Sequence, residues 1–420
     1  MQIEDFKRKL AVVILSYSDY ESLEISLAAI SKHLPSDTSG YCGPDIFILQ
    51  NGRGTYDTER TYRVALRYQC LFPRIIRVVD WIAPNRPFHS LRELFRDKVF
   101  EKYDYILKID DDVFPLTATW IDDLCKTYLE QQATNGEKLA YVSALVNNNP
   151  YGFIKCLEVM GLRNEFLSCY AREHCVVRGR EYSLGSHRFV SKGELLEGCN
   201  GSVWGLPYLA RWIHQRTTFC PEAFIEKTKA LGIDFVDGKE RFSINSMLFR
   251  KELWETLSEF GGDDDEELCQ RYCIRYGKGI AVALSVPMCH INFFTQREEN
   301  RDLMPLLREF YSRWLKLPYP ISICQSKEYE IESRLRYIET LLSRQLTIGT
   351  KTADEQCRNR PIKYFLPYGL MTKWLAYKYK MKIDEPLLYY PGFKKRIWRL
   401  VKFALPYGLI EWYKRKTYNK

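Results

Sequence analysis

No stretch of the 420-residue sequence is apolar for long enough to cross a membrane. The longest apolar run, Ile280–Cys289, is about half of what a spanning helix requires. The N-terminal segment MQIEDFKRKL has no apolar core of a secretory leader, so a cytosolic protein is expected. Cysteine pairing signals are missing too. The 13 cysteines are odd in number and scattered, with no CxxC pair; Cys269 and Cys273 lie one helical turn apart. Reduced, mostly buried thiols are expected, and neither a disulfide framework nor a zinc site. A glycine-rich basic phosphate loop is also absent. The first strand candidate runs out at Leu15 into Ser-Tyr-Ser-Asp-Tyr, with neither Gly nor Lys. That argues against a nucleotidyltransferase, the nearest alternative among α/β nucleotide chemistries. With 46% hydrophobic and 14% aromatic residues, the chain is neither disordered nor collagen-like, and its length suggests two or three domains.

The formal charge is +9, and its distribution is uneven. Residues 361–420 hold 14 Lys and Arg against three acids, a net +11, so the first 360 residues carry a net −2. An anionic partner is therefore expected for the tail and not for the body.

Leu10–Leu15 (LAVVIL) is wholly apolar and β-branched, as expected of a buried parallel strand. Leu23–Leu34 follows as a helix, Asp45–Gln50 as a second strand closed by Asn51-Gly52, and Ile75–Trp81 as a third. His89–Tyr103 has helical apolar spacing, and Tyr105–Ile109 (YILKI) is a fourth strand that runs into Asp110-Asp111-Asp112. Alternating strands and helices predict an α/β domain with a mostly parallel sheet, whose ligands sit at the carboxyl ends of strands. Those ends carry Ser16, Tyr17, Asn51 and the three aspartates. Further on, Ser243–Phe260 reads as a helix, Asp263–Glu267 as an acidic helix start, Leu268–Tyr276 as its continuation and Ile280–Val286 as a strand with His290 beyond it. Lys327–Leu346 reads as a long helix bridging to the tail.

Three consecutive carboxylates after an apolar strand repel one another unless a cation neutralises them. Mg²⁺ and Mn²⁺ suit such hard oxygen ligands and prefer one or two carboxylates plus substrate phosphates. The alternation of a strand end turns Asp110 and Asp112 to one side and Asp111 to the other. In the second acidic run, DD-x-E-L-x-x-R spans Asp264, Asp265, Glu267, Leu268 and Arg271. A carboxylate there could be a general base or simply a favourable charge at a helix start. His290, a packed residue on its own, becomes a credible ligand beside carboxylates and a cation.

Taken together and in this order, these features resemble GT-A-fold glycosyltransferases, especially the inverting family-2-like enzymes of bacterial surface-polysaccharide synthesis. The resemblance covers roughly Leu10–Gln296. It rests on the Ser16-Tyr17 strand end, Gln50-Asn51-Gly52, YILKIDDD as a DxD-like motif, and GGDDDEELCQR followed by CHINFF. It implies a nucleotide-sugar donor, most simply a UDP-sugar, and a glycan or lipid-linked acceptor. Asp112 and His290 would hold a divalent cation. Ser16, Tyr17, Asn51, Asp110 and Asp111 would line the donor site, with Tyr17 packing on the base and Asn51 hydrogen-bonding it. Asp265 would be the catalytic base, with Asp264 its neighbour. Two departures matter. Asn51 stands where the family usually has Asp, and Asp-Asp replaces Glu-Asp, so the register of the base could slip to Asp263 or Glu266. Arg86, Trp81 and Arg92 could line the donor site, and Glu197–Gly205 or the stretch before Met247–Arg250 could form the acceptor loop.

The tail repeats itself at a period of 39 residues: Ile362–Leu370 matches Val401–Leu409, each with Leu-Pro-Tyr-Gly-Leu and a Trp close behind (Trp374, Trp412). Fifteen of its 60 residues are aromatic. Phe393, Ile397, Leu400, Val401 and Ala404 share one helical face, flanked by Lys394, Lys395, Arg399 and Lys402. That pattern predicts helices lying in an anionic membrane interface. Similar tails in bacterial glycosyltransferases agree with it, and nucleic acid is not expected. The organisation expected is a GT-A domain over 1–310, a helical connector over 311–360 and the basic aromatic tail over 361–420, peripheral on the cytosolic membrane face. A non-catalytic membrane scaffold is the alternative from another class.

Overall fold

The computed structural model describes residues 2–34, 41, 43–81, 86–170, 174–177, 180–183, 207–238, 242–291, 300 and 302–317. The expected connector helix and the tail lie outside them. A nine-stranded sheet runs through the described part. Its strands are β1 (Leu10–Ser16), β2 (Asp45–Asn51), β3 (Ile76–Trp81), β4 (Tyr105–Asp110), β5 (Val113–Pro115), β6 (Leu139–Val146), β9 (Ile233–Asp237), β10 (Ser246–Arg250) and β11 (Gly279–His290). The spatial order is β3-β2-β1-β4-β10-β6-β11-β5, with β9 also on β11. A separate antiparallel pair joins β7 (His174–Val177) to β8 (Arg180–Ser183).

Strands β3, β2, β1 and β4 are mutually parallel, as are β6 and β11. Strands β5, β9 and β10 run antiparallel to their neighbours. The architecture is thus α/β with a mostly parallel sheet flanked by helices, as the sequence predicts. The reason lies in the strands themselves. Val12, Val13 and Ile14 of β1 and Ile46, Ile48 and Leu49 of β2 are fully buried. Such strands need cover on both faces, and each large apolar side chain removed from water contributes about 1.5–3 kcal/mol.

Helix Tyr20–Lys32 packs against helix Tyr56–Leu71 and β5, and helix Trp120–Asn135 packs against β6 and β11. Some helix starts carry a side-chain cap. Asp19 accepts the Ser22 N–H, Thr55 and Thr58 form a capping box, and Asn149 accepts the Gly152 N–H. An aromatic stack of Phe88, Trp254 and Phe249 fixes helix Pro87–Phe95 beside β10, and Trp254 Nε1 donates to the Phe88 carbonyl at 3.0 Å.

One sequence expectation is corrected. Ser243–Phe260 is not a helix: Ser246–Arg250 is strand β10, and only Glu252–Leu257 after it is α-helical. Met247, Leu248 and Phe249 are fully buried between β4 and β6, and a short apolar run of this kind has no periodicity to separate strand from helix. Two smaller shifts accompany it. His290 is the last residue of β11 rather than beyond it, and the helix expected over His89–Tyr103 is a helix at Pro87–Phe95 followed by a 3₁₀ turn at Lys98–Phe100.

The order β3-β2-β1-β4 places the reversal of the sheet between β1 and β4. A crevice opens at the carboxyl ends of strands where the order reverses. Here Leu15 is paired with Asp110, so Ser16-Tyr17 and the three aspartates meet at that edge.

Candidate active site

The aspartate turn is short because β5 begins at Val113 and pairs with β11, His290 opposite Val113. Ile291 N–H donates to the Asp112 carbonyl at 2.8 Å, and Ser26 Oγ to the Asp111 carbonyl at 2.9 Å. The turn is thereby stitched to both β11 and helix Tyr20–Lys32.

Each aspartate has a different partner. Asp110 accepts from Lys108 Nζ at 2.7 Å on one oxygen and from Asn245 Nδ2 at 2.8 Å on the other. Asp111 accepts a long 3.4 Å bond from the Tyr17 N–H. Burial and the neighbouring charges of Asp112, Asp19 and Asp110 hold its carboxyl well above the usual range. Asp112 Oδ2 lies 3.1 Å from His290 Nε2. Burial disfavours the charge on both, but their attraction outweighs it: the Asp112 pKa falls below the ordinary value and that of His290 rises.

His290 is fixed from two sides. Its Nδ1 faces the Asn148 carbonyl at 2.8 Å and must donate there, since a carbonyl only accepts. Its backbone N–H donates to Asn147 Oδ1 at 2.9 Å, and the Asn147 amide donates to Thr217 and Thr218 at 2.8 and 3.0 Å. The ring therefore presents Nε2 to Asp112.

Among the described residues no group of three or more His, Cys, Asp or Glu side chains forms a protein-only metal cage. Asp112 and His290 nevertheless fit a cation that shares its shell with substrate. Adjacent ligands of an octahedral ion with bonds of roughly 2.1 Å stand about 3 Å apart, close to the 3.1 Å between these two atoms. The Nδ1 bond to a carbonyl is also the arrangement that leaves Nε2 for a metal.

Asp264 caps helix Asp265–Tyr276, its carboxylate accepting the Glu267 N–H at 3.0 Å. Asp265 is the first helical residue, and Oδ2 lies 3.9 Å from Lys108 Nζ. Burial pushes its carboxyl up to about 6, with Lys108 opposing and Asp110, Asp264 and Glu266 adding to the rise. Asp263 pairs with Arg86 at 3.1 Å, and Glu266 accepts from Ser243 Oγ at 3.3 Å. Among Asp263–Glu266, Asp265 is the carboxylate placed at Lys108.

At the ends of β1 and β2, Ser16 Oγ donates to Gln50 Oε1 at 3.1 Å. The Gln50 amide donates to the carbonyls of Tyr17 and Gly52. This locks the two strand ends together and leaves the Tyr17 side chain 46% exposed. The Asn51 side-chain carbonyl accepts from Ser90 Oγ at 2.7 Å. Arg92 stacks near Phe88. The Trp81 side chain and the loop Glu197–Gly205 lie outside the described residues.

Sequence reasoning missed Lys108, Asn147, Asn148 and Asn245. Lys108 had a signal: a cation inside YILKID, two positions before Asp110 and so on the same strand face. The asparagines act through contacts across more than 130 residues, which no local pattern reveals.

No known family's sequence profile and no curated protein matches the chain. Among solved structures it is similar to S. aureus TarS at 10% identity and a TM-score of 0.32, over 72% of this chain and 39% of that one. It is also similar to GalNAc-T7, crystallised with UDP, GalNAc and Mn²⁺, at 11% identity and a TM-score of 0.35, over 81% and 58%. M. tuberculosis glucosyl-3-phosphoglycerate synthase gives 16% and 0.23, over 40% and 57%. The chain thus spans less than two thirds of the length of each of these three.

Proposed function

We propose that this chain is a metal-dependent glycosyltransferase of GT-A type. It would move a hexosyl unit from a nucleotide-diphosphate sugar, most simply a UDP-sugar, to a hydroxyl of a glycan or lipid-linked acceptor, with inversion, in the synthesis of a surface polysaccharide. The observation that carries the reading is the pair Asp112–His290 at the carboxyl end of β4, 3.1 Å apart with the ring oriented by Asn148. Asp112 and His290 would hold Mn²⁺ or Mg²⁺. The ion, when bound, would supply positive charge against the diphosphate that departs.

The chain's own residues do the rest. Tyr17, exposed at the end of β1, offers a ring for the base, and Asn51 and Asp110 border the nucleoside side. Asp265 removes the acceptor proton. As the acceptor O–C1 bond forms, the C1–O bond to the diphosphate breaks, and the electron pair leaves with the nucleoside diphosphate. A carboxyl raised to about 6 is still largely ionised at pH 7 and more basic than an ordinary aspartate. Attack from the face opposite the leaving group would invert the anomeric centre. Residues 361–420 would hold the enzyme at an anionic membrane surface, after a GT-A body over 1–310 and a connector over 311–360. No helix among the described residues is long and apolar enough to cross a membrane.

The test is a thermal-shift and product-release screen of the full chain against a panel of nucleotide sugars with and without Mn²⁺. Cation-dependent stabilisation by one nucleoside diphosphate, with release of that diphosphate when an acceptor is added, is expected. No nucleotide binding under any cation would overturn the reading in favour of a non-catalytic scaffold.

A further inference from the structure

Lys108 is the most buried charged group at this site, its side chain 3% exposed, in the middle of a strand whose neighbours Ile106, Leu107 and Ile109 are fully buried. It sits too deep to meet a substrate. Its ammonium has three partners from three segments: Asp110 Oδ1 at 2.7 Å, the Ile244 carbonyl at 3.1 Å and Asp265 Oδ2 at 3.9 Å. A buried ammonium costs several kcal/mol unless paired, and this one is shared between two carboxylates that the chain brings together only by folding.

We propose that Lys108 is a positioning residue for the proposed transfer, a buried cation that ties Asp110 on the donor side to Asp265 on the acceptor side and keeps Asp265 ionised and in place. The inference rests on the reading of Asp265 as base, but the contact it describes does not. Asp110 is held by Lys108 and Asn245 together, so its orientation is fixed before any ligand arrives. Asp265 is held less tightly. Burial and the surrounding acids, Asp110 from β4 and Asp264 and Glu266 from its own helix, all oppose its charge. Cys269 one turn on is a buried thiol kept neutral. Lys108 is the cation opposing them. The ammonium in turn stays charged, because Asp110 and Asp265 outweigh the cost of burying it.

The experiment follows the Asp265 carboxyl directly, by ¹³C NMR of the full chain labelled at aspartate Cγ, with the resonance assigned from its loss in Asp265→Asn. In Lys108→Met the titration midpoint should rise from about 6 by roughly one pH unit or more, the size expected when an opposite charge at this range is removed. An unchanged midpoint in folded Lys108→Met overturns the proposal. If that variant does not fold, the ammonium is removed in an Asp110→Asn background, where one carboxylate fewer is left unpaired. Adding Lys108→Met to Asp110→Asn should raise the Asp265 midpoint, and no movement between these two variants overturns the proposal. Neither readout uses sugar transfer or nucleotide binding. A shift in the midpoint, together with a failure of the full chain to bind any nucleotide in the separate screen, would leave the Lys108 contact standing and remove only the enzymatic reading.

Discussion

His290 Nε2 meets Asp112 Oδ2 at 3.1 Å across 178 residues of sequence. The pairing exists because β5 folds back antiparallel on β11 directly after the aspartate turn, setting His290 opposite Val113. If these two atoms hold a cation, Asp112→Ala and His290→Ala should each weaken Mn²⁺ binding by about 100-fold or more, since loss of even an outer-shell partner typically costs 10–100-fold. Isothermal titration of Mn²⁺ with a nucleoside diphosphate checks this, with circular dichroism as the control for folding. Wild-type affinity in both variants would remove the pair from the site.

If Asp265 is the base of the proposed transfer, activity carries a pH signature. Its carboxyl is raised to about 6 in the folded chain from an unfolded value near 3.8. A base must be ionised to work, so transfer should rise with pH through about 6 and level off above 7. Asp265→Asn should lower kcat by about 10²–10⁴-fold. Stability moves the other way. Both states are protonated below about pH 4, and the folded state resists ionisation as pH climbs, so the penalty is complete above pH 6. The shift corresponds to on the order of 2–3 kcal/mol, so Asp265→Asn should be the more stable protein at pH 8 and lose that advantage near pH 4. Urea denaturation at the two pH values reads this out, and an equal difference at both would refute it.

Asn147 is buried and makes three hydrogen bonds that join the His290 backbone to Thr217 and Thr218. Asn147→Ala leaves the His290 N–H without its acceptor and should cost about 1–3 kcal/mol. It should also loosen Mn²⁺ binding, because the His290 ring is placed through that backbone. A stability loss with unchanged metal affinity would show that the bond supports the fold alone.

Gly152, near the start of helix Pro150–Val159, is a close-approach glycine. A Cβ there would stand 1.6 Å from the Val146 carbonyl oxygen at the end of β6. Backbone must move to admit it, so Gly152→Ala should cost at least the ~1–3 kcal/mol usual for overpacking. The Asn147–Asn149 segment lies between the two, so the same variant should weaken Mn²⁺ binding. Thermal unfolding within a degree of wild type would refute the packing argument.

How far the sequence reveals this arrangement depends on the range of the interaction. Strands β1, β2 and β4 announce themselves because LAVVIL, DIFILQ and YILKI are apolar throughout, and the polar residues that end them mark the crevice. Strand β6 (LAYVSALV) has the same character and follows Asn135-Gly136, a turn signal that makes it readable as a strand, whereas β10 is too short to show a period. At the site, Asp110–Asp112, Asp265 and His290 are legible as chemistry. Of what positions them, Lys108 inside YILKID carries a local signal and the asparagines do not. Asn245 reaches Asp110, and Asn148 reaches His290, only once antiparallel β10 and parallel β6 and β11 are laid into the sheet. Asn51 is a different case: its position is predicted, but its carbonyl is already taken by Ser90, a bond set by the Phe88–Trp254 stack that no local pattern encodes.

The tail yields a prediction from charge alone. Residues 361–420 carry a net +11 with 15 aromatics, whereas the remaining residues carry a net −2. If the tail holds the protein at an anionic surface, the full chain should sediment with phosphatidylserine-containing vesicles and far less with neutral phosphatidylcholine. Each basic residue near such a surface contributes about 1 kcal/mol. Replacing Lys394, Lys395, Arg399 and Lys402 by Gln should therefore weaken the partition coefficient by on the order of 100-fold or more. Raising salt from about 0.1 M to 1 M shortens the screening length from about 10 to 3 Å and should act in the same direction. Soluble transfer to a short water-soluble acceptor should be unaffected by the four substitutions, because the site residues all precede 291. Vesicle binding that survives both the substitutions and the salt would mean that the basic residues are only a solvated surface.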